Sequence, residues 1–229
     1  MEFRNIFVVY DPMRPNQPAL ERAALSAADT QVNLQVFACI YSDDVDGAEK
    51  AQQTRERISQ QQGTLASAVE PLTSQGFSVT TEVEWDKDWY KAVVRASIRH
   101  SADVVLKSSY QHSARQRILN RTSDWTLMRE CLCPVLLVKE GETRANRTVL
   151  AAIDMRTEHE SYDKLNQQII NFSQQVMEKR DADVHFINAF QDLQSIPDRN
   201  ILIKNCGVES ARIHILMGQP DEVIVERAK

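Results

Sequence analysis

No apolar run in this 229-residue sequence approaches the ~18 residues that a membrane-spanning helix requires. Positive charge is not in excess either. Lys and Arg number 27 against 32 Asp and Glu, for a formal net charge of -5, so a basic footprint for nucleic acid or an anionic membrane is missing. The opening Met1-Glu2-Phe3-Arg4-Asn5 runs directly into an apolar strand and carries no secretory pattern. The four cysteines, Cys39, Cys131, Cys133 and Cys206, are too scattered for a disulfide framework and are expected as reduced thiols. No Ser/His/Asp set, no suitably spaced carboxylate pair and no nucleophile beside a base stands out. A nucleotide-dependent enzyme of a related α/β superfamily would need a Gly-rich loop after the first strand, and Asp11-Pro12-Met13-Arg14-Pro15 offers none. The expectation is a soluble cytoplasmic protein, not an enzyme, with no cofactor, no bound metal, no nucleic-acid partner and no membrane partner.

What is present is a regular alternation of strands and helices. Ile6-Phe7-Val8-Val9-Tyr10 is a continuous β-branched and aromatic run, as a strand buried on both faces requires. Asn16 and Pro18 open a helix with Leu20, Ala23, Ala24 and Ala27 along one face. Leu34–Tyr41 is a second strand. Ile58, Leu65, Val69 and Leu72 form a helical stripe that Gly76 ends. Val79-x-x-x-Val83 reads as a strand, Asp86 or Asp88 as the cap of a helix bearing Trp89, Ala92, Val93 and Ala96 inward. Val104-Val105-Leu106, a helix carrying Trp125, Met128 and Leu132, and the strand Cys133–Val138 complete a unit spanning 1–140. Such alternation predicts a parallel sheet with helices on both faces. After a charged linker, Val149–Asp154 repeats Ile6–Asp11, opening a second unit over 147–229. It has a helix with Leu165, Ile169, Phe172 and Val176 on one face, strands at Val184–Phe190 and Arg212–Met217, and a helix start at Asp221. Counterparts of the fourth and fifth strands are missing, so the second unit is expected to be incomplete.

A first strand ending in Asp11-Pro12, the helix-ending Gly76 and the closing Cys133-Pro134-Val135-Leu136-Leu137-Val138 resemble a universal stress protein domain. The second half adds Asp154 and Met217-Gly218-Gln219-Pro220-Asp221, similar to the family's Gly-x-Pro turn into a helix. Val8-Val9-Tyr10-Asp11-Pro12, Gln17-Pro18-Ala19-Leu20, Asp103-Val104-Val105-Leu106-Lys107 and Asp124-Trp125 point to the tandem, E-type branch. The resemblance implies a Rossmann-like sheet in order 3-2-1-4-5, tandem units packed as an intramolecular pseudo-dimer or a homo-oligomer, and a stress-response protein that binds a small-molecule ligand. Without a second fifth strand, Val135–Val138 would be an exposed edge for another chain or further residues to cover. Members that bind ATP carry Gly-x2-Gly-x9-Gly-Ser/Thr, whose glycines let backbone amides approach phosphate. Here those positions hold Ser108, Gln111 and Arg121, with Thr122 at the hydroxyl place. The resemblance therefore predicts a degenerate nucleotide site.

The same resemblance puts Asp11 and Ile40 at the ligand pocket of the first unit, and Asp154, Ala189 and Gly218 at that of the second. The plainer reading of either aspartate is a turn or helix cap. Lys107, His112, Arg115, Arg117 and Arg121 lie in or beside the loop that replaces the glycine signature. As an alternative function, Lys107, Arg115 and Arg121 would hold a nucleotide's anion through side chains; a solvated face is the plainer account. Cys131-x-Cys133 has too few intervening residues for the usual redox pair or zinc knuckle, and reads as two small residues packed at a strand start. His185 and His214 fall on neighbouring strands as unrelated, partly buried histidines, and His159-Glu160 as linker charge. Trp89 and Trp125 are expected in the core.

Overall fold

The computed structural model describes residues 3–27, 32–44, 49–110, 124–141, 148–155, 160–180 and 182–229. The chain divides into two compact units, 2–142 and 143–229.

In the first unit the elements run β1 (Asn5–Tyr10), α1 (Pro18–Ala27), β2 (Asn33–Ile40), α2 (Lys50–Ser74), β3 (Ser78–Trp85), α3 (Trp89–Arg99) and β4 (Val104–Ser109). A helix over 124–130, α4, and β5 (Val135–Lys139) follow. The five strands form one parallel sheet in the order β3-β2-β1-β4-β5. Register explains why β1 is apolar throughout: Val8 stands between Val36 of β2 and Leu106 of β4. Successive side chains alternate faces. Ile6 and Val8 pack with Leu34 and Val36 beneath α1 and α2, whereas Phe7, Val9, Phe37 and Val105 pack beneath α3 and α4.

Three local expectations are corrected here. The helix α1 is not capped by Asn16, whose side-chain amide reaches Glu140; the Ala19 amide donates instead to Ser108 Oγ of β4 at 3.1 Å. β5 begins at Val135, because Cys133 and Pro134 lie in a bend where the Pro134 carbonyl accepts from Val105 N–H. On α4 the inward residue is Leu127, fully buried, while Trp125 is 55% exposed and Leu132 82% exposed. Gly76 ends the second helix region as expected, at φ +88, with the Phe77 amide returning to the Leu72 carbonyl.

The second unit contains β6 (Thr148–Ala152), α5 (Glu160–Arg180), β7 (Asp183–Phe190), α6 (Arg199–Cys206), β8 (Ile213–Met217) and α7 (Pro220–Arg227). Among the described residues its sheet has three parallel strands, β6-β7-β8. The core gathers Val184, Phe186 and Ile213 from the sheet with Ile170 and Leu202 from the helices. Half of the stripe expected on α5 faces the core: Ile169 and Val176 pack against it beside buried Asn166, Ile170 and Ser173, while Leu165 and Phe172 are exposed. Among the described residues no helix is long and apolar enough to cross a membrane.

Candidate functional site

The carboxyl ends of β1 to β4 open onto a cleft of about 750 Å³ in the first unit. Parallel strands with helices on alternating sides leave such a crevice beyond their carboxyl ends, and its size suits a small ligand. β1 contributes Tyr10 and leads into Asp11, β2 contributes Cys39 and Ile40, β3 contributes Trp85, and β4 contributes Lys107 and Ser108. Trp89 opens α3 at the rim, and Arg57, Gln60 and Thr64 of α2 form the far wall.

Asp11 closes a turn and stands at the cleft. Its Oδ1 accepts the Met13 amide at 2.9 Å, closing a turn, and the residue also lines the cleft. Its backbone is held by Gln17, whose Oε1 accepts Asp11 N–H at 3.0 Å while Nε2 donates to the Asp11 carbonyl at 2.7 Å. The wall beyond Ile40 is aromatic: the Tyr41 and Trp85 rings lie 5.8 Å apart, and Lys87 Nζ sits 5.5 Å from the Tyr41 centroid. Burial pushes the Cys39 thiol up to about 12, and its S–H donates to the Asp86 carbonyl at 3.3 Å. The Asp88 amide, and after it Arg95, hold the Asp86 carboxyl below its usual range.

Each described cation lining this cleft has an acidic partner. Lys107 Nζ is 3.1 Å from Asp124 Oδ1, also donates to the Ser108 carbonyl at 3.1 Å, and lies 5.2 Å from the Trp89 ring centroid. Arg57 is bidentate to Asp44, at 2.8 and 3.2 Å. Lys87 is 3.5 Å from Asp43. The turn after β4 is occupied as well. Ser108 is buried with its hydroxyl taken by Ala19, and the Tyr110 hydroxyl donates to the Asn16 carbonyl at 2.7 Å under the Arg14 guanidinium. Gln111, His112, Arg115, Arg117, Arg121 and Thr122 lie outside the described residues.

The three site residues expected in the second unit come to the carboxyl ends of its strands. The Asp154 backbone is clamped by Asn166, which accepts from Asp154 N–H at 3.0 Å and donates to its carbonyl at 2.5 Å. Ala189 pairs with Leu216 on β8. Gly218, at φ +147, donates its N–H to the Phe190 carbonyl, and a Cβ there would stand 2.6 Å from Val223 Cγ2. His185 and His214 do meet, with ring nitrogens 3.0 Å apart. Burial first, then the Arg227 charge, pulls the His214 pKa down. His159 lies outside the described residues, and among those described no cluster of three or more metal-ligating side chains occurs.

Several cleft residues escaped the sequence reading. Arg57, Gln60 and Thr64 sit in a polar helix whose stripe points only to Leu65 and Val69, and Tyr41 and Tyr110 carry no periodic signal. Trp89 was expected in the core; it packs against that core and lines the cleft too.

Residues 2–139 match the description of the Universal stress protein family. The chain is 24% identical over 196 residues to universal stress protein E of Photorhabdus laumondii, covering 82% of this chain and 62% of that protein. It thus spans less than two thirds of that relative's length. With universal stress protein E of Escherichia coli it shares 22% identity over 256 residues, covering 99% of this chain and 81% of the relative. Among solved structures, a protein of unknown function from Pseudomonas aeruginosa superposes with TM-score 0.76 at 22% identity, over 99% of this chain and 78% of that one. A universal stress protein from Archaeoglobus fulgidus does so with TM-score 0.71 at 16% identity, over 97% and 80%. These structures carry the fold, and the matched residues 2–139 carry the membership: the chain belongs to the universal stress protein family.

Proposed function

We propose that the protein acts in the stress response by binding a small ligand in the cleft of the first unit, without turning it over. The part of the ligand it recognises is planar and uncharged, such as a nucleobase or nucleoside moiety. The observation that carries this reading is the pairing of Lys107 with Asp124, Arg57 with Asp44 and Lys87 with Asp43. A polyphosphate entering there would meet a carboxylate beside each cation, most closely at the largely buried Lys107–Asp124 pair, whereas the two exposed pairs oppose it weakly. A planar group instead finds the faces of Tyr41, Trp85 and Trp89, all lining the cleft. The side chains of Ser108 and Tyr110, engaged with the start of α1, support the idea that the family's phosphate turn is degenerate here. The exposed edge of β5, where Leu136 is 45% exposed, supports self-association as part of the same reading, which sedimentation reads directly.

A second reading keeps the cleft but gives it a nucleotide's anion, held by Lys107, Arg115 and Arg121; the position of Lys107 in the wall favours it. Calorimetry separates the two. Adenosine is expected to bind at least ~10-fold more tightly than ATP, a difference of about 1.4 kcal/mol, and Lys107→Met should leave adenosine affinity nearly unchanged. Tighter binding of ATP, abolished by Arg121→Ala, refutes the first reading and establishes the second.

A further inference from the structure

Away from the strand ends, two thiols face each other at the start of β5. Cys131 and Cys133 flank Leu132 in the bend between α4 and β5, with their sulfurs 3.9 Å apart. Both are free and half-buried, while Leu132 between them is 82% exposed, so the tip of the bend meets solvent. Ser97 Oγ, from α3, lies 3.8 Å from Cys131 Sγ. We propose that Cys131 and Cys133 form a hydroperoxide-reactive dithiol that closes to an intramolecular disulfide.

The two sulfurs are unequal by environment. The hydrogen bond between the two thiols holds the Cys131 thiol below its ordinary value, against burial, and the amides of Cys133 and Leu132 add to the effect. The neighbouring Cys131, then burial, push Cys133 up. Cys131, whose sulfur has Ser97 Oγ at 3.8 Å as well as the Cys133 sulfur at 3.9 Å, is assigned as the attacking thiol and Cys133 as the resolving thiol. Cys39 and Cys206, by contrast, are both raised by burial.

The chemistry balances with a hydroperoxide as the sole oxidant. The Cys131 thiolate attacks the terminal peroxide oxygen, the O–O bond breaks, and the alkoxide or hydroxide that leaves takes up a proton; the sulfur becomes a sulfenic acid. The Cys133 sulfur then attacks that sulfur, its proton leaving with the displaced hydroxyl as water. Two thiols and one hydroperoxide give one disulfide, one water and one alcohol (or a second water). The bend allows this, since residues 131–134 belong to neither helix nor strand and their sulfurs already approach each other.

The full chain treated with hydrogen peroxide, then alkylated and cleaved with trypsin, tests the proposal. The tryptic peptide Glu130–Lys139 carries both thiols and no other cysteine. It is expected to lose two hydrogens and resist alkylation at doses that leave Cys39 and Cys206 alkylatable. Cys133→Ser should stop at a sulfenic acid on Cys131, trapped by a dimedone reagent, and Cys131→Ser should slow peroxide consumption at least ~10-fold. Should a variant fail to fold, the native chain still decides, because Cys131 is expected to react with iodoacetamide at least ~10-fold faster than Cys206. The proposal is overturned by equal alkylation rates, by a disulfide between chains, or by direct passage of Cys131 to sulfinic acid with Cys133 still free.

Discussion

Gly218→Ala is the most direct probe of how the second unit turns from β8 into α7. The backbone there sits at φ +147, a region nearly closed to residues with a Cβ, and forcing one into it costs ~1–3 kcal/mol. The new methyl would also stand 2.6 Å from Val223 Cγ2, an overpacking worth ~1–3 kcal/mol. Val223 is half-buried and in the first turn of α7, so part of that contact relaxes. The sum is ~2–4 kcal/mol. Amide exchange in β8 (Ile213–Met217) reads this locally, and should quicken roughly thirtyfold to a thousandfold, at tenfold per ~1.4 kcal/mol. The tryptophans Trp85, Trp89 and Trp125 all lie in the first unit, so their fluorescence does not read the second unit's turn directly and amide exchange is the measure that decides. Adding Val223→Ala removes the clash and leaves the dihedral cost, so exchange should recover only in part. Exchange within ~2-fold of the parent protein would refute the reasoning.

Two other perturbations have defined outcomes. Ser108→Ala leaves the Ala19 amide without its acceptor in a buried place, and urea unfolding followed by tryptophan fluorescence should show a loss of ~1–3 kcal/mol; Ser108→Gly should lose as much, and an unchanged midpoint would count against the bond. His214 has its pKa lowered in the folded chain, by burial first and then Arg227. The unfolded chain therefore takes up the proton first as pH falls below the ordinary histidine value, and stability drops progressively down through the folded pKa. His214→Gln should flatten that acid-side slope in urea midpoints measured between neutrality and mild acid, and an unaltered slope would assign it to other groups.

The strands were legible because they are continuous apolar runs, as burial on both faces requires, whereas their order came from the family resemblance and their register, with Val8 between Val36 and Leu106, only from the structure. The helix faces were less so. Around α4 the candidates Trp125, Met128 and Leu132 are large and apolar, yet fully buried Leu127 takes the inward position, since a rotation of about 100°, one residue along the helix, decides the matter and hydrophobicity alone does not. On α5 the inward residues Asn166 and Ser173 are polar, so a search for apolar spacing finds Ile169 and Val176 at the edge of the inward face and adds the exposed Leu165 and Phe172. Of the site, Asp11, Ile40 and Lys107 line the cleft, whereas the pairing of Lys107 with Asp124 depends on β4 and α4 meeting in space, which spacing along the chain does not encode.

The two units share a device that the sequence hides. In each, a buried carboxamide at or in the first helix grips both backbone groups of the aspartate that follows the first strand: Gln17 on Asp11, and Asn166 on Asp154. A carboxamide suits this because it offers donor and acceptor together, matching an N–H and a carbonyl that have no next strand residue to pair with. One unit uses glutamine just before its helix, the other asparagine one turn or more inside it, so alignment by residue type or by offset from the aspartate misses the equivalence. Its physical consequence is that the strand-end backbone is satisfied locally, and neither aspartate's carboxylate is needed for that task. In the first unit Asp11 accordingly both closes its turn and faces the cleft, which is why the structural and the ligand-binding readings of this residue are compatible.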